Sequence, residues 1–506
     1  MRQIGYISYG YLRVESPRRK FSAMTAISPR HAKEAELAEI EKHLVLRPDA
    51  LSLYLESARL LMELGRREEA RETYLKVLAK DPMNFIAMNN LGTLMLSMGH
   101  RDAARSAYET VIKYWAHPTA YVNLGNLSRE AHDHTTARKY YEAALRLIAV
   151  DQAKAYQGLS HTLMDVGEVE AAEKYRRLGF TDNAVTVSNY RGDGPPIRVV
   201  AFISAAGGNI PNQPFMDDEI FLISTIVADF FDPNRPLPEH QLIFNGIGDV
   251  EIAEDALHAA IKLLEKTQMP VINPPAKVLP TSRAGNAERL KSIPGLIVPK
   301  VMVLPRADIT PEKLTQHGFH FPVLLRRPGF HGGQYFLKAD NIEDLPNILS
   351  QIPGDEFTVI QYVDTRSVDG KTRKYRVMMV GGELYPLHAA VSQNWKIHYF
   401  SADMKSNPDH RAEDAEFLEN MPKVLGPRAM KVLKDIQDTL GLDYAGIDFG
   451  LTPDGDVILF ETNATMVIAQ PAIGQEWDYR RAPVNRIIEA VKTMILMRVP
   501  SKESSS

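Results

Sequence analysis

Near the C-terminal end of this 506-residue chain, three oxygen-bearing side chains stand among apolar neighbours. Asp448 lies inside the run Gly446-Ile447-Asp448-Phe449-Gly450, and Glu461 and Asn463 stand two apart after the run Val457-Ile458-Leu459-Phe460. Both runs read as strands joined by the turn Thr452-Pro453-Asp454-Gly455-Asp456. The period of two puts Glu461 and Asn463 on one face. A hard divalent cation takes oxygen ligands, so two carboxylates with an amide oxygen beside them suit magnesium. Asp454 and Asp456 fall in the turn and drop out as ligands. The plainer reading is a surface hairpin with ordinary polar positions; the apolar run before Glu461 argues against it.

Upstream lies a cationic complement. Phe321 to Arg327 reads as a strand ending in Arg326 and Arg327, followed by a loop with Gly329, Gly332 and Gly333. A guanidinium stays charged and forks onto phosphate oxygens. Alternation lets only one of the pair face a nucleotide; Arg326 is favoured, and the other reading is an arginine pair capping a sheet edge. The glycines would let backbone N–H groups turn toward phosphates. His331 in that loop reads as part of the turn rather than as a catalyst.

The elements that must position these residues follow a Gly/Pro-rich break at Asn189–Pro196. From Ile197 to Asn273 the reading alternates. Ile197–Ser204 is a strand, Asp218–Phe231 a helix, and His240–Asp249 a strand ending in turn residues. Ile252–Thr267 is an amphipathic helix and Pro270–Pro275 a third strand, which makes a small open parallel sheet. Beyond Arg327 come the strand Phe357–Val363 and a hairpin, Lys374–Ser392, turning at Gly381-Gly382. A helix over Gly426–Leu442 leads into the first stretch described.

Four of these stretches, in this order, resemble the ATP-grasp superfamily of carboxylate–amine ligases: FPVLLRRPGFHGG, TVIQYV, YRVMMVGGELY and GIDFGLTPDGDVILFETNAT. The resemblance covers Ile197 to Pro500. It implies ATP as cofactor and magnesium ligated by Asp448, Glu461 and Asn463, as two ions bridged by one Glu, with manganese able to substitute. The family usually carries a Lys where Arg326 and Arg327 stand, and another phosphate-contacting Lys near Arg289. Gln361, Tyr362 and Val363 correspond to the backbone that reads adenine, and Asp364 would reach the ribose. Arg376 falls where relatives often show Asp-x-Arg and would clamp the acyl substrate or the γ-phosphate; here Lys374 replaces that Asp. The segment with His388, Ser392, Trp395, Lys396, His398 and Tyr399 corresponds to the substrate pocket and lid, with Lys396 and His398 the best contact candidates. A zinc site on His388 and His398 lacks a third ligand.

The first half repeats. Ala70, Ala104 and Ala137 are spaced 34 and 33 apart, and Pro48 and Pro82 are 34 apart. Leu91-Gly92 and Leu124-Gly125 mark the first helices of two units, with Tyr74, Tyr108 and Tyr141 filling the space between neighbours. This period is similar to that of tetratricopeptide repeats, paired helices that bury their apolar faces only by stacking. Three units run from Leu51 to about Val150, a degenerate fourth from Asp151 to Phe180, and a half unit caps the front. The repeat implies a concave surface for a peptide or partner protein; dimerisation or bracing of the second half is the alternative.

Composition narrows the rest. With 44% hydrophobic and 24% charged residues the chain is an ordinary globular one. A formal net charge of -4 makes no case for nucleic acid or an anionic membrane. The absence of cysteine removes disulfides and thiolate chemistry and suits a reducing compartment, so a cytoplasmic location is expected. Residues 1–30 read as disordered, with Met24 an alternative start or the segment a transit peptide.

The expected organisation is multi-domain: an all-α repeat solenoid over 31–180, a linker over 181–196, an α/β pre-ATP-grasp domain over 197–300, an α+β ATP-grasp domain over 301–500 and a disordered tail over 501–506. The expected activity is a magnesium-dependent ligase joining a carboxylate to an amine through an acyl phosphate. A phosphotransferase, or a nucleotide-binding scaffold without turnover, is the alternative.

Overall fold

The computed structural model describes residues 28–147, 152–328, 335–397, 402–471 and 474–500. Of the segment 1–30 expected to be disordered, residues 1–27 lie outside these, as does the tail 501–506, while Ser28 caps a helix that begins at Pro29. The chain divides into two compact units, one of Met1–Asn183, Asn189–Pro196 and Asp218–Ile220, the other of Ala184–Ser188, Ile197–Asp217 and Phe221–Ser506.

The first unit consists of α1 (Pro29–Leu46), α2 (Leu51–Glu63), α3 (Arg67–Lys80), α4 (Phe85–Ser97), α5 (Arg101–Tyr114), α6 (Pro118–Glu130), α7 (His134–Arg146), α8 (Ala153–Asp165) and α9 (Val169–Phe180). They form the expected front half unit and four helix pairs. The repeat positions explain the packing. Ala70, Ala104 and Ala137 are fully buried, and so are Tyr74, Tyr108 and Tyr141 one turn later on the same face. The tyrosines need room that only glycine leaves: a Cβ would lie 2.8 Å from the Tyr108 ring at Gly92, and 2.6 Å and 2.3 Å from that of Tyr141 at Gly125 and Gly158. Each buried hydroxyl is matched, Tyr108 to Thr93 Oγ1 at 3.1 Å and Tyr141 to Asn126 Oδ1 at 2.7 Å. The stretch expected as a linker is tied down: Asn189 Nδ2 donates to the Glu63 carbonyl and Arg191 pairs with Asp218, all within this unit.

The second unit opens with a sheet of order β1-β3-β2-β4-β5, formed by β1 (Val185–Val187), β2 (Ile197–Ile203), β3 (Phe221–Val227), β4 (Leu242–Asn245) and β5 (Val271–Ile272). β2 to β5 run parallel and β1 adds an antiparallel edge. Here one expectation is corrected: Asp218–Phe231 is not a helix. Its core, β3, pairs residue for residue with β2 from Ile197↔Phe221 to Ile203↔Val227. Short apolar runs do not separate a buried strand from a helix by periodicity alone. β-Branched and aromatic content, as in Phe-Leu-Ile-Ser-Thr-Ile-Val, was the signal for a strand. The helix α10 (Val250–Leu264) stands where expected.

Then come α11 (Pro275–Val278), α12 (Arg283–Leu290), β6 (Leu296–Ile297), β7 (Val301–Pro305), α13 (Pro311–Gln316), β8 (Val323–Arg326), β9 (Phe336–Ala339), α14 (Leu345–Gln351), β10 (Glu356–Gln361), β11 (Thr372–Val380), β12 (Glu383–Ser392), α15 (Pro408–Leu440), β13 (Tyr444–Leu451), β14 (Val457–Asn463) and α16 (Arg481–Arg498). Two further sheets result, β7-β10-β8-β9 and β12-β11-β13-β14-β6. The hairpin between β11 and β12 closes at Gly381 and Gly382, both at positive φ (59° and 93°), as a two-residue turn requires. α15 is broken at Asn420 and Gly426; Gly426 precedes Pro427, whose ring disfavours helical backbone before it. The strands β6 and β7 were unforeseen from sequence; β6 closes the edge of the third sheet beside β14, and β7 the edge of the second beside β10.

Candidate active site

The site is assembled where β13 lies between β11 and β14. The register sets Arg376 opposite Asp448 on one side and Glu461 opposite Asp448 on the other. A shift in register between Asp448 and Phe449 makes Phe460 the extra residue of a bulge, and it sits partly exposed. Glu461 and Asn463 share a face as alternation requires: Asn463 Nδ2 donates to Glu461 Oε1 at 2.8 Å. Asn463 Oδ1 in turn accepts from the N–H and hydroxyl of Thr465, which fixes the amide.

Asp448 is fully buried and wholly engaged. Arg376 donates Nε to Oδ1 at 2.5 Å and Nη2 to Oδ2 at 2.8 Å, and Lys374 Nζ lies 2.5 Å from Oδ2. Burial opposes a charge here, yet Arg376 and Lys374 outweigh it and hold the Asp448 carboxyl far below its ordinary range. Glu461 shows the same balance: burial raises its pKa, but Arg283 and then Arg326 hold it below the usual value. Arg283, the first residue of α12, reaches Glu461 Oε1 at 2.5 Å and Glu251 Oε2 at 2.7 Å.

Arg326 is buried at the end of β8, and its Nε has no hydrogen-bond partner among the described residues. Burial, then the like charge of Arg283, lowers its pKa to about 10. It therefore remains a cation at neutral pH with a buried donor unmatched, a costly arrangement without an anion to receive it. Arg327, the next residue, faces the other way, within 3.3 Å of where a Cβ would stand at Gly354. Beside Arg283 and Glu461, which form its charged end, opens a pocket with apolar walls of Val298, Pro299, Val301, Ile360, Leu459 and Phe460.

Several sequence-derived residues lie elsewhere. Arg289 does not join the charged end; its Nη2 donates to the Thr439 carbonyl at the C-terminal end of α15. At 3.6 residues per turn Arg289 points about 120° away from Arg283 on α12. Arg283, Asn286 and Ala287, at helical spacing, line the pocket instead. The side chain of Gln361 braces a turn, donating to the His320 carbonyl at 2.8 Å and accepting from the His320 N–H at 3.0 Å. The N–H groups of Gln361 and Tyr362 are bonded to the carbonyls of Lys300 and Pro322. Neither is therefore turned to a base edge; Ile360 offers an apolar face. Asp364 pairs with Arg366, which lowers its pKa. Val363 follows β10 and is not among the pocket residues.

In the expected substrate segment, Trp395 packs edge-on against Phe336 and Tyr362, and the Lys338 ammonium sits 4.9 Å from the Tyr362 ring centre. Lys396 Nζ donates to the Phe336 carbonyl at 3.0 Å, and burial lowers its pKa. His388 is buried opposite Arg376, and burial pushes its pKa well down. Ser392 is buried too, its hydroxyl accepting from the Asn394 N–H. His331, Gly332, Gly333, His398 and Tyr399 lie outside the described residues. Among the described residues no three His, Asp or Glu side chains cluster to hold a metal ion.

The sequence reading missed Arg283, Glu251 and the pairing of Lys374 with Asp448. Helical phase from Asn286 was the available clue to Arg283; nothing local pointed to Glu251.

Residues 55–97 and 93–152 match the family model described as tetratricopeptide repeat. The helical unit is a tetratricopeptide repeat array. Among solved structures it is similar to the MamA protein, at 22% identity over 29% of this chain and 81% of that one, TM-score 0.26. The chain is also similar to the VanG D-Ala:D-Ser ligase from Enterococcus faecalis (12% identity, 60% of this chain and all of that one, TM-score 0.39). The D-alanine-D-alanine ligase from Coxiella burnetii matches at 12% identity over 60% of this chain and 96% of that one, TM-score 0.38. No curated protein matches the sequence. Among the described residues no helix is long and apolar enough to cross a membrane.

Proposed function

We propose that the second unit is a magnesium-dependent ATP-grasp ligase that activates a carboxylate with ATP and joins it to an amine. One observation carries the reading: a buried arginine, Arg326, whose Nε has no acceptor among the described residues, acts electrostatically on Glu461, which lines an apolar pocket. An apolar pocket near a buried cation suits a nucleotide, base against the apolar walls and phosphates toward the cation. The four sequence stretches that resemble ATP-grasp ligases support the same assignment.

Ile360, Leu459 and Phe460 would hold the base by apolar contact. Arg326 and Arg283 would fork onto phosphate oxygens and hold the chain of phosphates in line with the acyl substrate. Magnesium, when bound, would draw charge from the transferring phosphoryl group, and the Glu461 carboxylate is the donor suited to it. The substrate carboxylate oxygen attacks the γ-phosphorus, and ADP leaves. The amine nitrogen then attacks the acyl carbon of the acyl phosphate, loses a proton and expels inorganic phosphate. Arg376, fixed by Asp448, is placed to steady the acyl group, and Lys396 and His398 are the proposed substrate contacts. The repeat array would present a peptide or a protein partner, and the setting is cytoplasmic.

The test is to incubate the full chain with ATP, magnesium and a pool of carboxylates and amines, following ADP and free phosphate. Substrate-dependent release of both is expected. ADP with a stable phosphorylated product would assign a phosphotransferase instead, and tight nucleotide binding without ADP would assign a scaffold.

A further inference from the structure

Two carboxylates face each other across β13 and β14, and the structure treats them differently. Asp448 has both oxygens occupied by fixed cations, the Arg376 guanidinium along both and the Lys374 ammonium at 2.5 Å from Oδ2. Lys374 and Arg376 stand two apart on β11, so both reach the same face of the sheet. One negative charge thus meets two positive ones in a site where Asp448 has no exposed surface. Glu461 makes its bonds to Arg283 and Asn463 through Oε1, and it lines the pocket. Arg283 divides its charge between Glu461 and Glu251.

A divalent ion on Asp448 would have to displace the ammonium or sit beside it at a few ångströms in a poorly screened interior, where like charges repel strongly. Asp448 as it stands does not fit as a metal ligand; Glu461, whose bonds to Arg283 and Asn463 use Oε1 and leave Oε2, does. Resting on the nucleotide reading above, we propose that this site takes one divalent ion rather than two, and that the Lys374 ammonium fills the second cationic position. Asp448 then anchors two built-in cations. Lys374 falls at the position where the resembled family often has an acidic residue. The substitution therefore exchanges a ligand-supporting carboxylate for the charge a second ion would bring.

Counting ions separates the possibilities without any turnover. The full chain is loaded with the ATP analogue whose β–γ bridge is an NH group, and Mn2+ is titrated while free Mn2+ is read by electron paramagnetic resonance. One Mn2+ per nucleotide-loaded chain is expected, and two in Lys374→Asp. If Lys374→Asp fails to fold by circular dichroism, Lys374→Gln is read instead, with a second Mn2+ expected at least tenfold tighter than in the parent chain. Two Mn2+ in the parent chain, or a count unchanged in the folded variant, would overturn the inference. Nucleotide binding is measured separately by calorimetry without metal and with Mn2+. No binding in either condition overturns the nucleotide site itself and the ion count with it. Binding with two Mn2+ overturns only the single-ion inference.

Discussion

The two units of this chain handle charge in opposite ways. In the repeat array Arg59 pairs with Glu56 and Glu63 at the surface, with all three side chains between 33% and 46% exposed. Its interior is matched by shape, tyrosine against glycine and alanine. In the α/β unit charges are taken inside, with the Asp448 side chain 1% exposed between Arg376 and Lys374, and Arg326 buried with no acceptor for its Nε among the described residues. Exposed pairs contribute little to stability, whereas burying a charge is costly and breaking a buried pair more so. The contrast teaches where chemistry belongs. The array can lose a surface charge without consequence, and the α/β unit retains buried charges that packing alone would not select.

The largest test of this contrast is Asp448→Ala. It leaves Arg376 and Lys374 without their carboxylate, and a loss of about 3–5 kcal/mol is expected in urea unfolding of the α/β unit. A loss under about 1 kcal/mol would mean that the triad is not the structural anchor described here.

Glu461→Gln comes next. ADP release should fall by about 100-fold or more, the effect of removing one electrostatic stabiliser of a transition state, while the circular dichroism spectrum stays native. An unchanged rate would remove Glu461 from the chemistry.

For the array, Gly158→Ala puts a Cβ 2.3 Å from the Tyr141 ring. The overlap should cost about 1–3 kcal/mol, more than the roughly 1 kcal/mol that alanine gains over glycine in a helix. A more stable variant in thermal unfolding would show that the ring moves aside freely.

A pH dependence separates the units further. His161 in the array is held to about 4 by burial, then by Arg129 and Arg176. A base held below its unfolded value near 6.5 binds fewer protons folded than unfolded. Its contribution is therefore complete above that pH and is lost as pH falls toward 4. The array should lose about 3 kcal/mol over that window. Asp448 and Glu461 are carboxylates held below their unfolded values of about 4, so their contribution is lost only at lower pH. Helical ellipticity followed from pH 7 to 4 in the parent chain and in His161→Gln would read the difference; equal curves would refute it.

Arg59→Ala is the smallest, about 0.5 kcal/mol or less for an exposed pair. A melting temperature several degrees lower would contradict the surface role assigned to the array's charges.

Much of the first unit was legible before folding, because a solenoid stacks neighbours in chain order and its period survives in Ala70, Ala104 and Ala137. The strands β2, β4, β8, β10, β11, β12, β13 and β14 were legible for a similar reason, since alternation and turn residues are local signals. Glu461 and Asn463 share a face because both lie on one strand. β3 was not legible as a strand: its parallel partner, not its own pattern, decides what it forms.

Sequence by itself thus determined the repeat, the hairpin and the chemical kinds of side chain available at its end. Tertiary structure decided which cation meets which carboxylate. Arg283 and Glu461 are separated by 178 positions, and Arg376 and Asp448 by 72. Such pairs follow from strand register and helix placement. Local periodicity carries no record of either, so the difference between an occupied Asp448 and a pocket-lining Glu461 appears only when the sheet is assembled.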